Sequence, residues 1–143
     1  MNIKATIEQA LCAALQTALP ADTFPQLAGV AFVAGQRSAE LTVPAVIVSC
    51  AQASESVAPG LGIYRAIVSV SVMSSVDESE DPDPLHRERV AAVESVLSDP
   101  AALTSLLCSD SFHVYGVSSA ETASSDEDRD FVDTYTVTID CQA

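Results

Sequence analysis

The most regular pattern in the chain is an alternation of apolar and polar residues near its end. The apolar positions are Phe131, Tyr135, Val137, Ile139 and Cys141. The polar positions between them are Thr134, Thr136, Thr138 and Asp140. Because successive side chains of a strand point to opposite faces, this pattern predicts a strand at about 131–141 with one buried face.

Three further segments have the character of strands. In 62–73, small apolar residues alternate with Arg65 and serines. The run 43–50 is almost continuously apolar, as expected in the middle of a sheet, and 112–117 predicts a shorter strand. A loop of about ten residues separates 43–50 from 62–73, so an antiparallel hairpin is the simplest connection.

Apolar residues spaced three and four apart predict helices in the remaining segments. The predicted helices span about 3–19, 84–98 and 100–108. Pro20 ends the first, because proline removes a backbone donor from a helix. The pairs Asp83-Pro84 and Asp99-Pro100 favour the starts of the other two, since aspartate accepts first-turn amides and proline at the first helical position gives up no needed donor.

The order of these elements groups the strands in hairpins. It predicts an α+β fold with a mainly antiparallel, twisted sheet of about four or five strands and helices packed on one face. With 143 residues the chain fits a single domain, 1–143, which needs no metal or disulfide to close a core. Its longest apolar runs are far shorter than the ~18 residues that span a bilayer, so we expect no membrane segment.

The charge of the chain is strongly one-sided. Twenty acidic residues against six basic ones give a formal net charge of -14, and Lys4 is the only lysine. The first acidic cluster consists of Asp77, Glu78, Glu80, Asp81 and Asp83; the second consists of Glu121, Asp126, Glu127, Asp128 and Asp130. Both clusters lie beside strand-like runs, so we expect acidic loops on a folded scaffold. Such a chain repels phosphate, which argues against binding of nucleic acid through a basic surface.

Few residues could carry out chemistry. His86 and His113 are the only histidines, and neither lies near a nucleophile motif, so we predict no catalytic residue and no enzyme. The first acidic cluster lacks the glycine and closing glutamate of a calcium loop. The four cysteines, at positions 12, 50, 108 and 141, include no closely spaced pair for zinc. We therefore predict no metal and no cofactor, and cysteines that are reduced and pack as small apolar residues.

A series of features along most of the chain matches one protein family. An amphipathic N-terminal helix is followed by the entry Leu41-Thr42-Val43-Pro44 into an apolar strand. Gly62-Ile63-Tyr64-Arg65 opens a long alternating strand, and an acidic break, a helix from Asp83 to Leu97 and a closing strand to Cys141 complete the series. In this order of elements the chain resembles the tail terminator and tail-completion proteins of long-tailed bacteriophages, and the related neck proteins that join head to tail.

The resemblance implies a structural subunit that forms a hexameric ring, caps the tail tube and contacts other tail and neck proteins. The protein is then expected in the virion, at the tail or neck, after synthesis in the host cytoplasm. DNA passes through such a ring without sequence-specific binding, and acidic residues in the lumen prevent its retention. The candidate lumen or rim residues are Asp77, Glu78, Glu80, Asp81, Asp83, Asp126, Glu127 and Asp128. The candidate subunit contacts are the threonine-rich face of the last strand and Arg65, Arg87, Arg89 and Arg129.

Other functions remain compatible with the sequence. One is a different neck, connector or tail tube subunit. Another is an acidic protein that mimics DNA and inhibits a nucleic-acid-binding enzyme, which requires carboxylates spaced like phosphates along one face. An enzyme requires the two acidic clusters to meet in space.

Overall fold

The computed structural model describes residues 3–35, 44–55, 62–75, 80–109, 112–127 and 130–142. The helices in these ranges are α1 (Ile3–Ala18), α2 (Pro82–Leu97) and α3 (Pro100–Leu107), with a 3-10 turn at Pro25–Leu27. The strands are β1 (Ala31–Ala34), β2 (Ala45–Glu55), β3 (Ile63–Ser75), β4 (His113–Glu127) and β5 (Asp130–Gln142).

The described strands form one sheet in the order β1-β2-β3-β5-β4. All neighbours pair antiparallel except the short edge strand β1, which runs parallel to β2. β3 and β5 pair along their whole lengths, from Ile63 opposite Gln142 to Ser75 opposite Asp130. The predicted α+β fold with a mainly antiparallel sheet is therefore confirmed, and the two alternating segments are adjacent strands.

The helices pack on one face of the sheet and close the core there. On this face the valines of β3 are buried, as are Tyr135, Val137, Ile139 and Cys141 of β5. The fully buried residues of the helix layer are Ile7, Leu11, Leu15, Val93, Leu97 and Leu103. Removing each of these side chains from water stabilises the fold by about 1.5 to 3 kcal/mol.

The strands extend beyond their predicted ends. β2 continues from Cys50 to Glu55 through a register shift, and β3 continues to Ser75. The largest correction concerns β4, because the sequence predicted a strand only at 112–117. Backbone pairing does not need side-chain alternation, so β4 follows β5 for its whole length and accommodates two bulges on the way.

The helix ends differ from the prediction by one or two residues. α1 and α3 each end one residue earlier than predicted, at Ala18 and Leu107. α2 begins at Pro82, because the first-turn amides of a helix have no internal partner and both early prolines are tolerated. Asp99 caps α3 as predicted, since its Oδ1 accepts a hydrogen bond from the backbone N of Ala102 at 3.3 Å.

Candidate assembly surfaces

The strand register and the start of α2 bring described residues of both acidic clusters to the same end of the sheet. β3 ends at Ser75, which pairs with Asp130 at the start of β5. Asp130 also pairs with Glu127, the last residue of β4. The tip of the β4–β5 hairpin therefore lies beside the end of β3, from which the chain leads to the first acidic cluster.

The first turns of α2 are held at this same end. Glu80, Asp81 and Asp83 have exposed side chains there. Close by, Nε2 of His86 in α2 lies 2.8 Å from Oδ2 of Asp133, near the start of β5. We name this end of the molecule the acidic pole and define it by Glu80, Asp81, Asp83 and the strand positions Asp126, Glu127 and Asp130.

The candidate lumen or rim residues fall into three groups. Asp77, Glu78 and Asp128 lie outside the described residues. Glu80, Asp81 and Asp83 are exposed, as an acidic surface requires. Asp126 and Glu127 do not lie in a loop as predicted, because both belong to the paired end of β4.

A buried polar cluster lies beneath the acidic pole and joins α2 to β3 and β5. His86 is only 4% exposed and stacks on the ring of Phe131 with centroids 5.4 Å apart. Its Nδ1 lies 2.9 Å from Oγ of Ser74, and its Nε2 lies 2.8 Å from Oδ2 of Asp133. Because a carboxylate only accepts hydrogen bonds, Nε2 donates to Asp133, which fixes the orientation of the ring.

Arg89 completes the polar cluster. It is 3% exposed, and its Nη1 donates to Oγ of Ser74 at 3.0 Å. Its Nε donates to the carbonyl oxygen of Gln26 at 2.9 Å, which ties the 3-10 turn to α2. The prediction of Arg89 as a subunit contact is therefore corrected, because its guanidinium is used inside the subunit.

The polar cluster has the residue types of a hydrolytic triad without its geometry. In a triad, the serine Oγ faces Nε2 of the histidine and is open to substrate. Here Ser74 faces Nδ1, is 1% exposed and also receives a hydrogen bond from Arg89. The arrangement therefore holds three elements together and presents no accessible nucleophile.

The sequence contained a signal for this cluster. Ser74 continues the buried face of β3, and Asp133 continues the buried face of β5, so each is a polar residue at a core position. His86 and Arg89 lie on the helix face that also carries Val93. Polar residues at core positions are normally hydrogen-bonded to one another, and this rule could have predicted the cluster.

The other arginines lie at the surface or outside the described residues. Nε of Arg65 donates to Oδ1 of Asp140 at 2.8 Å, and this carboxylate raises the pKa of Arg65. Arg87 pairs with Asp83 along α2, with Nε 3.1 Å from Oδ2. Arg129 lies outside the described residues. Both described pairs are exposed, so their guanidinium groups are also accessible to a second subunit.

The face of the sheet opposite the helices is uncharged over most of its described area. Cross-strand rows run over it, and two of them are Ile47–Ser71–Thr134 and Ser49–Ser69–Thr136. A third row contains Ile67, which is 38% exposed, beside Thr138 and Ser118. On the described part of this face, the charged positions of β3 and β5 are Arg65 and Asp140 at one end, which neutralise each other, and Asp130 at the other end. We name it the open face.

A second uncharged surface lies on the helix layer, between α1 and the end of α3. It is a groove of about 390 Å³ whose walls include Thr6, Gln9, Ala13, Leu106 and Phe112. None of the residues that line it is Asp, Glu, Lys, Arg or His. Leu106 is 40% exposed at its edge. We name this surface the α1–α3 groove.

The four cysteines are free, and three of them are buried. Burial raises the pKa of Cys12 and Cys50, and it raises the pKa of Cys141 to about 11 with a smaller contribution from Asp140. Only Cys108 is partly exposed. The predicted packing as small, buried residues is confirmed for Cys12, Cys50 and Cys141, whereas Cys108 is only partly buried.

The difference in exposure between Cys108 and the three buried cysteines predicts the order in which the thiols react. Since the thiolate is the reactive form, an aromatic disulfide reagent at about pH 8 should modify Cys108 of the native protein first. The three buried cysteines should react only on the timescale of unfolding, and all four should react quickly in denaturant. Equal rates for all four thiols in the native protein would contradict the burial described above.

The described ranges also bear on two other kinds of site, metal centres and membrane spans. No group of three or more His, Cys, Asp or Glu residues there could hold a metal ion. Among the described helices, none is by itself long and apolar enough to cross a membrane; α2 and α3 together reach the required length and composition but are bent by 77°. Comparison of the sequence with models of protein families and with curated proteins found no match.

Proposed function

We propose that this chain is a structural protein of a bacteriophage virion, a tail terminator that assembles into a hexameric ring, caps the tail tube and joins it to the neck. The observation that supports this function best is the separation of charge from the broad surfaces of the subunit. Residues of both acidic clusters lie at one pole, whereas the α1–α3 groove is uncharged and the charged positions of β3 and β5 on the open face are confined to its two ends. In this proposal the protein is not an enzyme and needs no cofactor.

The uncharged surfaces allow copies of this acidic chain to contact one another in a ring despite their mutual repulsion. Each copy carries a net charge of -14, so copies repel one another wherever their acidic surfaces approach. At physiological ionic strength, salt screens the repulsion between exposed charges that are more than about 8 Å apart. Like charges that meet in a direct contact between subunits are closer than this and still repel each other. Contacts through uncharged surfaces avoid this repulsion and leave the acidic poles free.

The acidic pole suits the lumen or rim of the ring. A channel lined by Lys or Arg would bind the phosphates of passing DNA, and each contact would add to a strongly salt-dependent affinity. Carboxylates repel the phosphates and let the DNA slide. Described residues of both acidic clusters lie at one end of the subunit. All copies in a ring therefore direct these residues to the same region, the lumen or the rim.

Labelling of virions with an antibody against this protein tests the function directly. The proposal predicts label at the junction of head and tail in electron micrographs of the phage that encodes the chain. Label along the whole tail would instead assign a tube subunit, and absence from the particles would contradict a role in the virion. Capture of a DNA-binding enzyme by the free protein, lost at high salt, would favour the DNA mimic.

Replacing two of the six acidic residues of the pole by lysine should weaken its repulsion of DNA. The variant Glu80→Lys/Asp81→Lys changes the net charge to -14 + 4 = -10 and places two lysines per subunit at the proposed lumen. Because the pole keeps Asp83, Asp126, Glu127 and Asp130, we expect the native ring to show no binding to duplex DNA and the variant ring to bind it weakly at low ionic strength, with an affinity that falls steeply with salt. Fluorescence anisotropy of a labelled duplex, measured over a range of salt concentrations, gives the affinity of each ring for DNA.

A matched variant tests whether position or total charge matters. Glu55→Lys/Glu94→Lys gives the same net charge, and both residues are exposed away from the acidic pole. Glu55 lies at the opposite end of the sheet from Ser75, and Glu94 lies in the last turn of α2. Equal DNA binding by the two double variants would contradict the assignment of the pole to the lumen.

A further inference from the structure

The exposed surface of the helix layer is divided into a charged part and an uncharged part. The exposed positions of α2 include Arg87, Glu88 and Glu94. By contrast, α3 contains no charged residue, and the exposed residues of α1 other than Lys4 are uncharged. Glu8 of α1 uses its Oε2 inside the subunit, where it accepts a hydrogen bond from the backbone N of Cys50 at 2.8 Å. The α1–α3 groove is thus the centre of an uncharged region in a strongly acidic protein.

The open face, whose middle rows are uncharged, lies on the other side of the molecule. The helices that form the groove pack on the opposite face of the sheet, so the two surfaces are separated by the core. Each surface carries one of the few large apolar side chains that are exposed among the described residues: Ile67 on the open face and Leu106 at the groove. The two surfaces therefore point in different directions and have matching chemistry.

We infer that the open face of one copy packs against the α1–α3 groove of the next copy, so that the subunits join head to tail. In the proposed ring the occupant of each surface is a second copy of this chain; because every copy carries a net charge of -14, copies contact one another most favourably where both surfaces carry little net charge. This inference rests on the proposed ring and names its subunit contact. It extends the sequence-based candidate, the threonine-rich face of β5, by supplying the surface that this face binds.

The use of two different surfaces has a consequence for symmetry. A contact between the same surface on two copies closes a dimer with a two-fold axis, whereas a contact between two different surfaces continues from copy to copy and closes as a ring when the rotation between copies divides a full turn. The open face and the groove are different surfaces on opposite sides of the subunit. A head-to-tail contact between them is the kind of contact that a ring requires, and in a closed ring the acidic poles of all copies are related by the rotation axis.

Single charges placed in each surface test the contact. Ile67→Asp alters the open face, and Leu106→Asp alters the groove. Each buries an unpaired carboxylate in the proposed contact, so each should raise the dissociation constant of the assembly at least ~100-fold, as measured by analytical ultracentrifugation. Ala91→Asp, at an exposed position of α2, adds the same charge elsewhere and should leave the assembly intact.

Mixing the two variants separates a head-to-tail contact from a two-fold contact. The Ile67→Asp chain keeps an intact groove, and the Leu106→Asp chain keeps an intact open face. The mixture should therefore form dimers with a single contact and nothing larger. The double variant Ile67→Asp/Leu106→Lys should recover part of the assembly, because a carboxylate and an ammonium then face each other.

The outcomes separate this inference from the proposed function. If the native chain forms a ring and Leu106→Asp leaves it intact, the inferred contact between the open face and the α1–α3 groove is contradicted, but the proposed ring is not. If the native chain is a monomer at all concentrations, both are wrong. Circular dichroism checks that each variant is folded, and Ser118→Asp, at an exposed position in the same row of the open face, replaces Ile67→Asp if that variant unfolds.

Discussion

Replacing Asp133 by alanine should lower the free energy of unfolding by about 2 to 4 kcal/mol. The change leaves Nε2 of His86 without its acceptor in a site where the His86 side chain is 5% exposed. It also weakens the attachment of α2 to β5, because the ring of His86 spans the distance between Asp133 and Ser74. Denaturant unfolding followed by circular dichroism measures the loss.

Two other variants of β5 make this prediction specific. Asp140→Ala removes a carboxylate from the same strand, but its partner Arg65 is exposed, so the unfolding midpoint should hardly change. Asp133→Asn retains an oxygen that accepts from Nε2 and should lose less stability than Asp133→Ala. Equal losses for Asp133→Ala and Asp140→Ala would show that the polar cluster does not stabilise the subunit.

Replacing Leu103 by alanine should cost about 2 to 5 kcal/mol. Leu103 is fully buried and is one of the two buried residues of α3, a helix of only eight residues. Helices this short are not stable alone in water, so α3 depends on its packing against the sheet. The variant should therefore lose stability and also disturb the α1–α3 groove, whose edge α3 forms.

The matched change is Leu103→Met, which nearly preserves volume and should cost less than ~1.5 kcal/mol. Both variants are compared with the native chain at the same protein concentration, because assembly itself adds to apparent stability. Thermal unfolding should show a shift of ~2–4 °C for each kcal/mol lost. A stability of Leu103→Ala within error of the native chain would mean that α3 is not part of the core.

The strands whose side chains alternate could be predicted from the sequence, and the extended hairpin could not. In β5 the buried Tyr135, Val137 and Ile139 alternate with threonines, so both the strand and its buried face were predicted. In β4 the segment after Val117 is rich in serine and acidic residues, which are typical of loops. Its strand conformation comes from pairing with β5. The local alternation of apolar and polar residues gives no indication of this pairing.

The assembly surfaces were only partly predictable. The two acidic clusters were evident from composition, but their convergence depends on the register of β3, β5 and β4. The α1–α3 groove combines residues near Thr6 with residues near Leu106, and their proximity follows only from the packing of two helices that are distant in sequence. Arg89 was misassigned because an arginine in an acidic chain suggests a surface pair, whereas its position on the buried face of α2 decides its role.

Native mass spectrometry of the purified, untagged chain, combined with electron microscopy of the same sample, tests the assembly of the ring most directly. We predict a closed ring with a mass six times the 14.9 kDa of one chain and a central opening. A strict monomer across the accessible range of concentration and salt, or a dimer with two-fold symmetry, would contradict the ring.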